Sequence, residues 1–515
     1  MPALQVILGL LAAVVVLAMV ARRLRLPYPI VLVLGGLALG FIPEMPRVQL
    51  DPDVVFLVFL PPLLMAAGWS TSFRDFRANL RSISLLAFGL VLFTTVGVAV
   101  VAHTIVPGLP WPTAFVIGAV VSPTDAVAAT SIMQRLGAPR RVVTIVEGES
   151  MVNDATGLVI YQFAVKVAAF GVAFVAWQAG LKFVLVSVGG ISVGLVVAWL
   201  LAQVQLRLND PLIEITLSFL ACYVAYLAAQ NLGVSGVLAV VVCGLYIGHR
   251  SPQLLSPNSR MQGLAVWNTA VFVLNGLAFI LVGLQLPVIL DGLRAVSIPR
   301  LALYGAVVSL AVIVIRILWT YPGAYLPFLI PKVRRHDPVP QVRNVAVTAW
   351  SGMRGAVSLA AALALPATIP GGPFFGGRDL VLFLTFSVIL VTLVLQGLSL
   401  PLLITKLGVG TDGDDRHEEK IARFQVIEAA ENRLAQLAGD WAHPEQLEFM
   451  RHYYLKRRNS VETQFGYIQH DSHQPGHVHP DGADHLEDHR QREESMQRLR
   501  LEMIGAEREQ IVQLR

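Results

Sequence analysis

Five ionisable residues stand deep inside apolar stretches of this chain: Asp125, Glu147, Glu149, Asp154 and Arg354. Charge at bilayer depth is costly and usually marks an ion or proton path. The richest run is Glu147-Gly148-Glu149-Ser150-Met151-Val152-Asn153-Asp154. On a helix, Ser150 and Asp154 are four apart and share a face with Glu147. Glu149 and Asn153, also four apart, stand about 100° round from it. One stripe offers a hydroxyl and a carboxylate to an ion. The neighbouring stripe offers a carboxylate and an amide to a partner helix. Arg354 is the expected partner of Glu149, because the pair neutralises two otherwise prohibitive charges. That leaves Asp154 as the carboxylate without a fixed counter-charge. Such a group holds either a proton or a small cation but not both, and competition at one site is sufficient for exchange. Oxygen ligands suit hard alkali cations, by analogy with the hard divalent ones. Lys166, Glu214 and Arg316 lie in apolar stretches too. Lys166 and Glu214 are near helix ends and are expected to snorkel to the interface. Arg316 is expected to pair with an acid of the core, Glu147 being one candidate.

These side chains need helices to hold them. A spanning helix takes roughly 20 mostly apolar residues. Thirteen stretches qualify: 3–20, 28–43, 53–69, 82–106, 112–133, 143–168, 180–205, 211–229, 233–248, 265–289, 300–330, 343–367 and 379–405. The eleventh is long and is expected to tilt or bend near Pro322. The first lacks a basic leader and a cleavage site, so it reads as a span rather than a removed signal peptide. Six spans, a linker span and six spans would make two halves of opposite orientation. The best pointer to a site in such inverted repeats is a matched pair of Gly/Pro-interrupted helices. The fifth stretch carries Ser122-Pro123-Thr124-Asp125, and the twelfth, seven later, carries Ser351-Gly352-Met353-Arg354-Gly355. Pro123 frees a carbonyl one turn earlier, and the two glycines loosen the second helix. Either interruption alone would read as an ordinary kink. As a matched pair, each with a charge, they read as a site, with Asp125 and the freed carbonyls facing Ser150 and Asp154.

Composition sets the same frame. Of 515 residues, 55% are hydrophobic and 14% charged, with mean hydropathy +0.64, where a soluble chain carries about 25% charged residues. Residues 1–410 hold 13 acidic and 25 basic residues, and residues 411–515 hold 21 acidic and 14 basic. The first part therefore reads as a membrane domain and the second as a water-soluble tail. One set of alternate loops carries 16 Lys and Arg against 4 in the other. The richer side is expected to be cytoplasmic, which puts the N-terminus outside and the tail inside. Basic charge placed in short loops is an orientation signal and gives no reason to expect nucleic acid. Cys222 and Cys243 lie in apolar stretches and read as packing.

In the tail, helices are expected around 417–437, 444–458 and 491–514, the first with an apolar face of Ile421, Phe424, Ile427 and Leu434. Between the last two lies a run of His470, His473, His477, His479, His485 and His489. Histidine could serve there as a pH or metal sensor. The spacings fit no standard zinc motif, so the run reads as a solvated linker.

Ser-Pro-Thr-Asp at 122–125, Glu-Gly-Glu-Ser-Met-Val-Asn-Asp at 147–154 and Gly-Met-Arg-Gly-Ala-Val at 352–357 resemble the monovalent cation/proton antiporters. The similarity is to the electroneutral branch, which includes bacterial sodium/proton antiporters and animal sodium/proton exchangers. It covers the whole membrane domain in plan. It implies an all-α polytopic membrane protein of about thirteen spans, with inverted six-helix repeats, two crossing broken helices, a mobile core and a dimerisation domain, and hence a homodimer. Residues 1–410 would be the antiporter domain in a bacterial inner membrane, among its lipids, and 411–515 a cytoplasmic regulatory tail. The resemblance implies that Asp154 carries the cation and the proton, with Thr124, Asp125 and Ser150 completing the site. It assigns Glu149, Asn153 and Arg354 to a structural polar cluster. The electrogenic branch has two adjacent aspartates where this chain has Asn153-Asp154, so one-for-one exchange is implied. One departure concerns ion choice: relatives often carry an acid shortly after a double proline in the third span, and here Pro61-Pro62 is followed by Ala66 at that place.

The reading is therefore a sodium/proton antiporter, with lithium or potassium as alternative cations and no cofactor. A passive channel would need a continuous pore with rings of ligands, and a single carboxylate between broken helices fits alternating access better. An intramembrane aspartyl protease would need two aspartates sharing a site. The asparagine before Asp154 and the expected pairing of Glu149 argue against that enzyme.

Overall fold

Capping side chains and prolines set most helix starts. Asp125, Asp210, Ser235 and Ser256 each accept a hydrogen bond from a backbone N–H of the first turn that follows, satisfying donors that a helix leaves orphaned. The computed structural model describes residues 2–42, 52–170, 176–208, 210–293, 296–336, 339–366, 377–410, 413–437, 443–464 and 486–514. The helices are α1 (Pro2–Leu24), α2 (Tyr28–Gly40), α3 (Pro52–Ser70), α4 (Phe73–Ala78), α5 (Leu80–Ser84), α6 (Val91–Ile105), α7 (Trp111–Val121), α8 (Ala126–Arg135), α9 (Arg140–Phe170), α10 (Ala176–Gln205) and α11 (Pro211–Asn231). They continue as α12 (Gly236–Leu254), α13 (Pro257–Gly292), α14 (Ile298–Tyr325), α15 (Pro331–His336), α16 (Val342–Trp350), α17 (Ala356–Leu363), α18 (Arg378–Val391) and α19 (Gly397–Lys406). The last three are α20 (Gly413–Gln436), α21 (Pro444–Gln464) and α22 (Leu486–Leu514). Among the described residues there is no strand.

Helix covers each of the thirteen expected stretches, with informative differences. The stretches at 112–133 and 343–367 are each two helices, α7 with α8 and α16 with α17, and their chains leave helical geometry at 122–125 and 351–355. Wide π turns at Leu85–Leu90 and Thr392–Gln396 interrupt the stretches at 82–106 and 379–405. Pro322 lies inside α14, which runs on to Tyr325 and closes in a 3-10 turn at Leu326–Leu329. Eight helical segments among the described residues are long and apolar enough to cross a membrane, and two more, Tyr28–Gly40 and Phe56–Ser70, are shorter and apolar. The 31-residue α9 is also long, but it carries the acidic run.

Two compact units divide the chain, Met1–Gly410 and Thr411–Arg515. The first holds two hydrophobic clusters. One gathers α2, α6 to α8, α13, α14 and α16 to α19, and the other α3 and α10 to α12. Helix α9 supplies Val142 and Val146 to the first and Met151 and Ala155 to the second, so the acidic run lies on the seam between them. On the outside, α10 exposes a broad apolar face that includes Leu185, Val188, Val196 and Trp199, as a lipid-facing helix does.

The second unit is built on its own core of Ile427, Ala430 and Leu434 from α20, Met450, Tyr454 and Val461 from α21, and Leu499 and Met503 from α22. Phe424 packs against that core, whereas Ile421, expected on the same face, is exposed. Arg433 pairs with Glu502 at 2.8 Å and Arg457 with Glu507 at 2.6 Å. Burial, together with the hydrogen bond Tyr454 donates to Glu507, pushes the Tyr454 phenol above its ordinary range. The histidine run from His470 to His485 lies outside the described residues; His489 falls in α22.

Candidate functional site

The two helix breaks meet. The backbone N–H of Asp125 donates to the carbonyl of Met353 at 2.8 Å, joining the break between α7 and α8 to that between α16 and α17. The Asp125 side chain turns back to cap α8, accepting from the N–H of Val127 at 2.9 Å. Its carboxylate lies directly against Gly355, where any Cβ would collide with Oδ2. Glycine is needed there because the carboxylate occupies the space of a side chain. Ser150 reaches across from α9, and its Oγ accepts from the N–H of Ala126 at 3.2 Å. Ser150 and Asp125 thus both serve the N-terminus of α8, a site of positive partial charge.

A buried polar cluster locks the crossing to α9. Glu149 is held by both terminal nitrogens of Arg316, at 2.5 and 2.9 Å, with the two side chains 1% and 0% exposed. Arg316 also donates to the carbonyls of Ala349 and Thr348 at 3.1 Å each. Thr124 donates to Glu149 at 3.0 Å and accepts from Asn153 at 2.7 Å. The expected pairing of Glu149 with Arg354 is therefore corrected: Arg316 makes it. Arg354, 0% exposed, donates instead to the carbonyls of Val121, at 3.0 Å, and Gly352, and its own N–H goes to Thr392 at 3.1 Å. The reason is physical. A broken helix leaves carbonyls without donors at the C-terminus of its first half. Arg354 caps α7 at Val121, and Arg316 caps α16 at Thr348 and Ala349. Each arginine also meets negative partial charge at those ends.

Asp154 stands apart from that network. It is 7% exposed, and among the described residues no hydrogen bond or ion pair reaches its carboxylate. It lies one helical turn from Ser150 and within electrostatic reach of Asp125. Of the residues singled out by sequence, the structure brings Thr124, Asp125, Glu149, Ser150, Asn153, Asp154 and Arg354 into one region. Thr124 is on the cluster side of it, its hydroxyl engaged by Glu149 and Asn153. Glu147 is not the partner of Arg316; it accepts from Gln134 at 3.4 Å. Glu214 does not snorkel: it is 3% exposed in the first turn of α11. Among the described residues no group of three or more His, Cys, Asp or Glu is placed to hold a metal ion. Ala66 packs against the second hydrophobic cluster.

Two contributors were missed. Thr392, in the π turn after α18, holds the Arg354 backbone; a threonine amid apolar residues carried no distinguishing signal. Tyr28, at the start of α2, lies within electrostatic reach of Asp125. Its place beside the Pro27 and Pro29 turn gave no hint of that proximity.

Residues 9–406 match the family model described as the transmembrane sodium/hydrogen exchanger. An uncharacterized Na+/H+ exchanger of Mycobacterium tuberculosis is 36% identical over 520 residues, covering 99% of this chain and 92% of that protein. A sodium, potassium, lithium and rubidium/H+ antiporter of Bacillus subtilis is 33% identical over 413 residues, 77% of this chain and 61% of that protein. The solved structure of the sodium proton antiporter MjNhaP1 from Methanocaldococcus jannaschii superposes with a TM-score of 0.63 at 20% identity, covering 79% of this chain and 99% of that one.

Proposed function

The chain belongs to the sodium/hydrogen exchanger family, a family of multi-pass membrane cation/proton antiporters rather than enzymes, and we propose that it exchanges one sodium ion for one proton at the carboxylate of Asp154. A single observation carries this reading: Asp154 is a buried carboxylate that no donor or cation among the described residues satisfies, set beside a cluster in which Glu149, Arg316 and Arg354 have partners. A carboxylate in that position must be neutralised by something it does not own. A proton does so, and so does an alkali cation, and each excludes the other.

Ser150 and Asp125 are the neighbours fitted to complete a cation's oxygen shell. Each is only partly buried, and each has one interaction with the start of α8 and lone pairs to spare. Thr124 positions the site, because its hydroxyl ties Asn153 to Glu149. Glu149, Arg316 and Arg354 hold the crossing in shape. Alternating access then follows from moving the crossing as a unit against the other helices.

The charge count supports electroneutral exchange. With Glu149 and Asp125 ionised, they balance Arg316 and Arg354, and Asn153 adds no charge. Asp154 then carries one proton one way and one monovalent cation the other. The proposed setting is thirteen spans in inverted halves with the N-terminus outside, the tail in the cytoplasm, and two copies forming a dimer. The absence of an acid at Ala66 removes one ligand from the third span. The Bacillus relative named for four alkali cations makes lithium and potassium natural competitors in the same assay.

The test is transport in proteoliposomes. An imposed pH gradient should drive uphill sodium movement through the wild-type protein, which a channel cannot do. Asp154→Asn should insert normally and carry no exchange; sodium-dependent proton flux in that variant would refute the assignment.

A further inference from the structure

One deep carboxylate has no part in that mechanism. Glu147 stands seven residues before Asp154 on α9 and seven after Arg140, the first residue of the helix, so about 10.5 Å of helix separates it from each. Its Oε1 accepts from Nε2 of Gln134 in the last turn of α8, at 3.4 Å. Among the described residues no lysine or arginine stands within ion-pair distance of it. The arginines at that end of the helix pair are engaged elsewhere. Arg140 pairs with Asp75 at 2.7 Å, Arg141 donates to Asn79 at 3.0 Å, and Arg135 donates to the carbonyl of Arg25 at 3.0 Å.

Exposure along the two helices follows a pattern. In the first half of α9, Arg140, Val143, Glu147 and Ser150 keep some exposure, as do Arg141, Ile145 and Val152 on the adjoining face. Spacings of three and four put the former on one stripe, and the next residue on that stripe is Asp154, at 7% exposure. On α8, Val127, Ser131 and Gln134 keep exposure at the same kind of spacing, leading back to Asp125. The two stripes face one crevice, because α8 is bonded to α9 near both of its own ends, at Ala126 by Ser150 and at Gln134 by Glu147. Glu147 is the carboxylate on that stretch of the crevice, halfway between the start of α9 and the exchange site.

We propose that Glu147 is a way-station carboxylate that gathers alkali cations in the crevice between α8 and α9 and sets the apparent affinity for cations arriving from the cytoplasmic face. The inference rests on the reading of Asp154 as the exchange site and adds where the cation waits before reaching it. A carboxylate set in a crevice raises the local concentration of cations there. The residue touches no exchanging atom at Asp154, so it acts on KM and on one face only.

The experiment uses everted membrane vesicles, which turn the cytoplasmic face outward, and compares the wild type with Glu147→Gln and Glu147→Asp. Glu147→Gln keeps the acceptor for Gln134 and removes only the charge. It should raise the KM for external sodium about three- to tenfold, leave the maximal rate within about twofold, and leave the KM measured from the opposite face unchanged. Glu147→Asp, which keeps the charge, should restore most of the wild-type KM. An unchanged KM in Glu147→Gln, an equal effect on both faces, or a loss confined to the maximal rate overturns the proposal while the exchange reading stands. A wild type that does not exchange sodium for protons removes both.

Discussion

At Arg316 one guanidinium satisfies a carboxylate and two helix-end carbonyls at once, whereas at Arg354 it satisfies carbonyls alone. The two residues should therefore differ in what their removal costs. Arg316→Ala leaves Glu149 buried and uncompensated, which costs about 3–5 kcal/mol. Arg354→Ala leaves unsatisfied carbonyls, at about 1–3 kcal/mol for a buried polar group. Thermal unfolding in detergent should then rank wild type above Arg354→Ala and Arg354→Ala above Arg316→Ala, with expression following the same order. Equal melting temperatures for the two variants would contradict the observed pairing. The sequence made it legible that Glu149 needs an arginine, because the acid sits mid-helix in apolar surroundings. Which arginine was not legible: helical spacing orders residues around one axis but says nothing of distances between helices. Arg354 is the expected partner only if carboxylates alone compete for a buried guanidinium, and the broken helices supply carbonyls that compete as well.

At the scale of elements, the matched interruptions at Pro123 and at Gly352 and Gly355 were readable as a pair, and the family resemblance implied that they break their helices. They break them outright. A complete break is tolerable only where freed backbone groups find partners, and here the partners come from the opposite break: the N–H of Asp125 meets Met353, and Arg354 meets Val121. That mutual satisfaction cannot be read from either segment alone. It makes Gly355 a sensitive position, since a methyl group there would displace the Asp125 carboxylate from its cap on α8. Gly355→Ala should cut sodium-driven proton flux by roughly tenfold or more, a loss of about 1.4 kcal/mol or more, while Gly180→Ala on α10, where a Cβ meets nothing within 4 Å, should leave flux unchanged. Full activity in Gly355→Ala would mean that the Asp125 carboxylate is not needed where the structure holds it.

At the scale of the whole molecule, net charge in the crossing decides whether the membrane potential does work on the exchange. Two arginines stand against two acids other than Asp154, and the position before Asp154 is an asparagine. A cycle carrying one proton one way and one monovalent cation the other therefore moves no net charge. If one elementary charge moved per cycle, 100 mV would contribute about 2.3 kcal/mol, shifting the sodium accumulation ratio by roughly 50-fold. In proteoliposomes with the potential clamped by valinomycin and potassium, the ratio reached under a fixed pH gradient should be the same at zero and at 100 mV of either sign. A potential-dependent ratio would show that a second charge travels with the proton, with Asp125 the first residue to examine. The tail should not alter this result. Its three helices close on their own core, and none of the charges counted belongs to it. Removal of residues 411–515 should leave the ratio where it was, and any effect of the tail should appear in the rate of exchange and its pH profile.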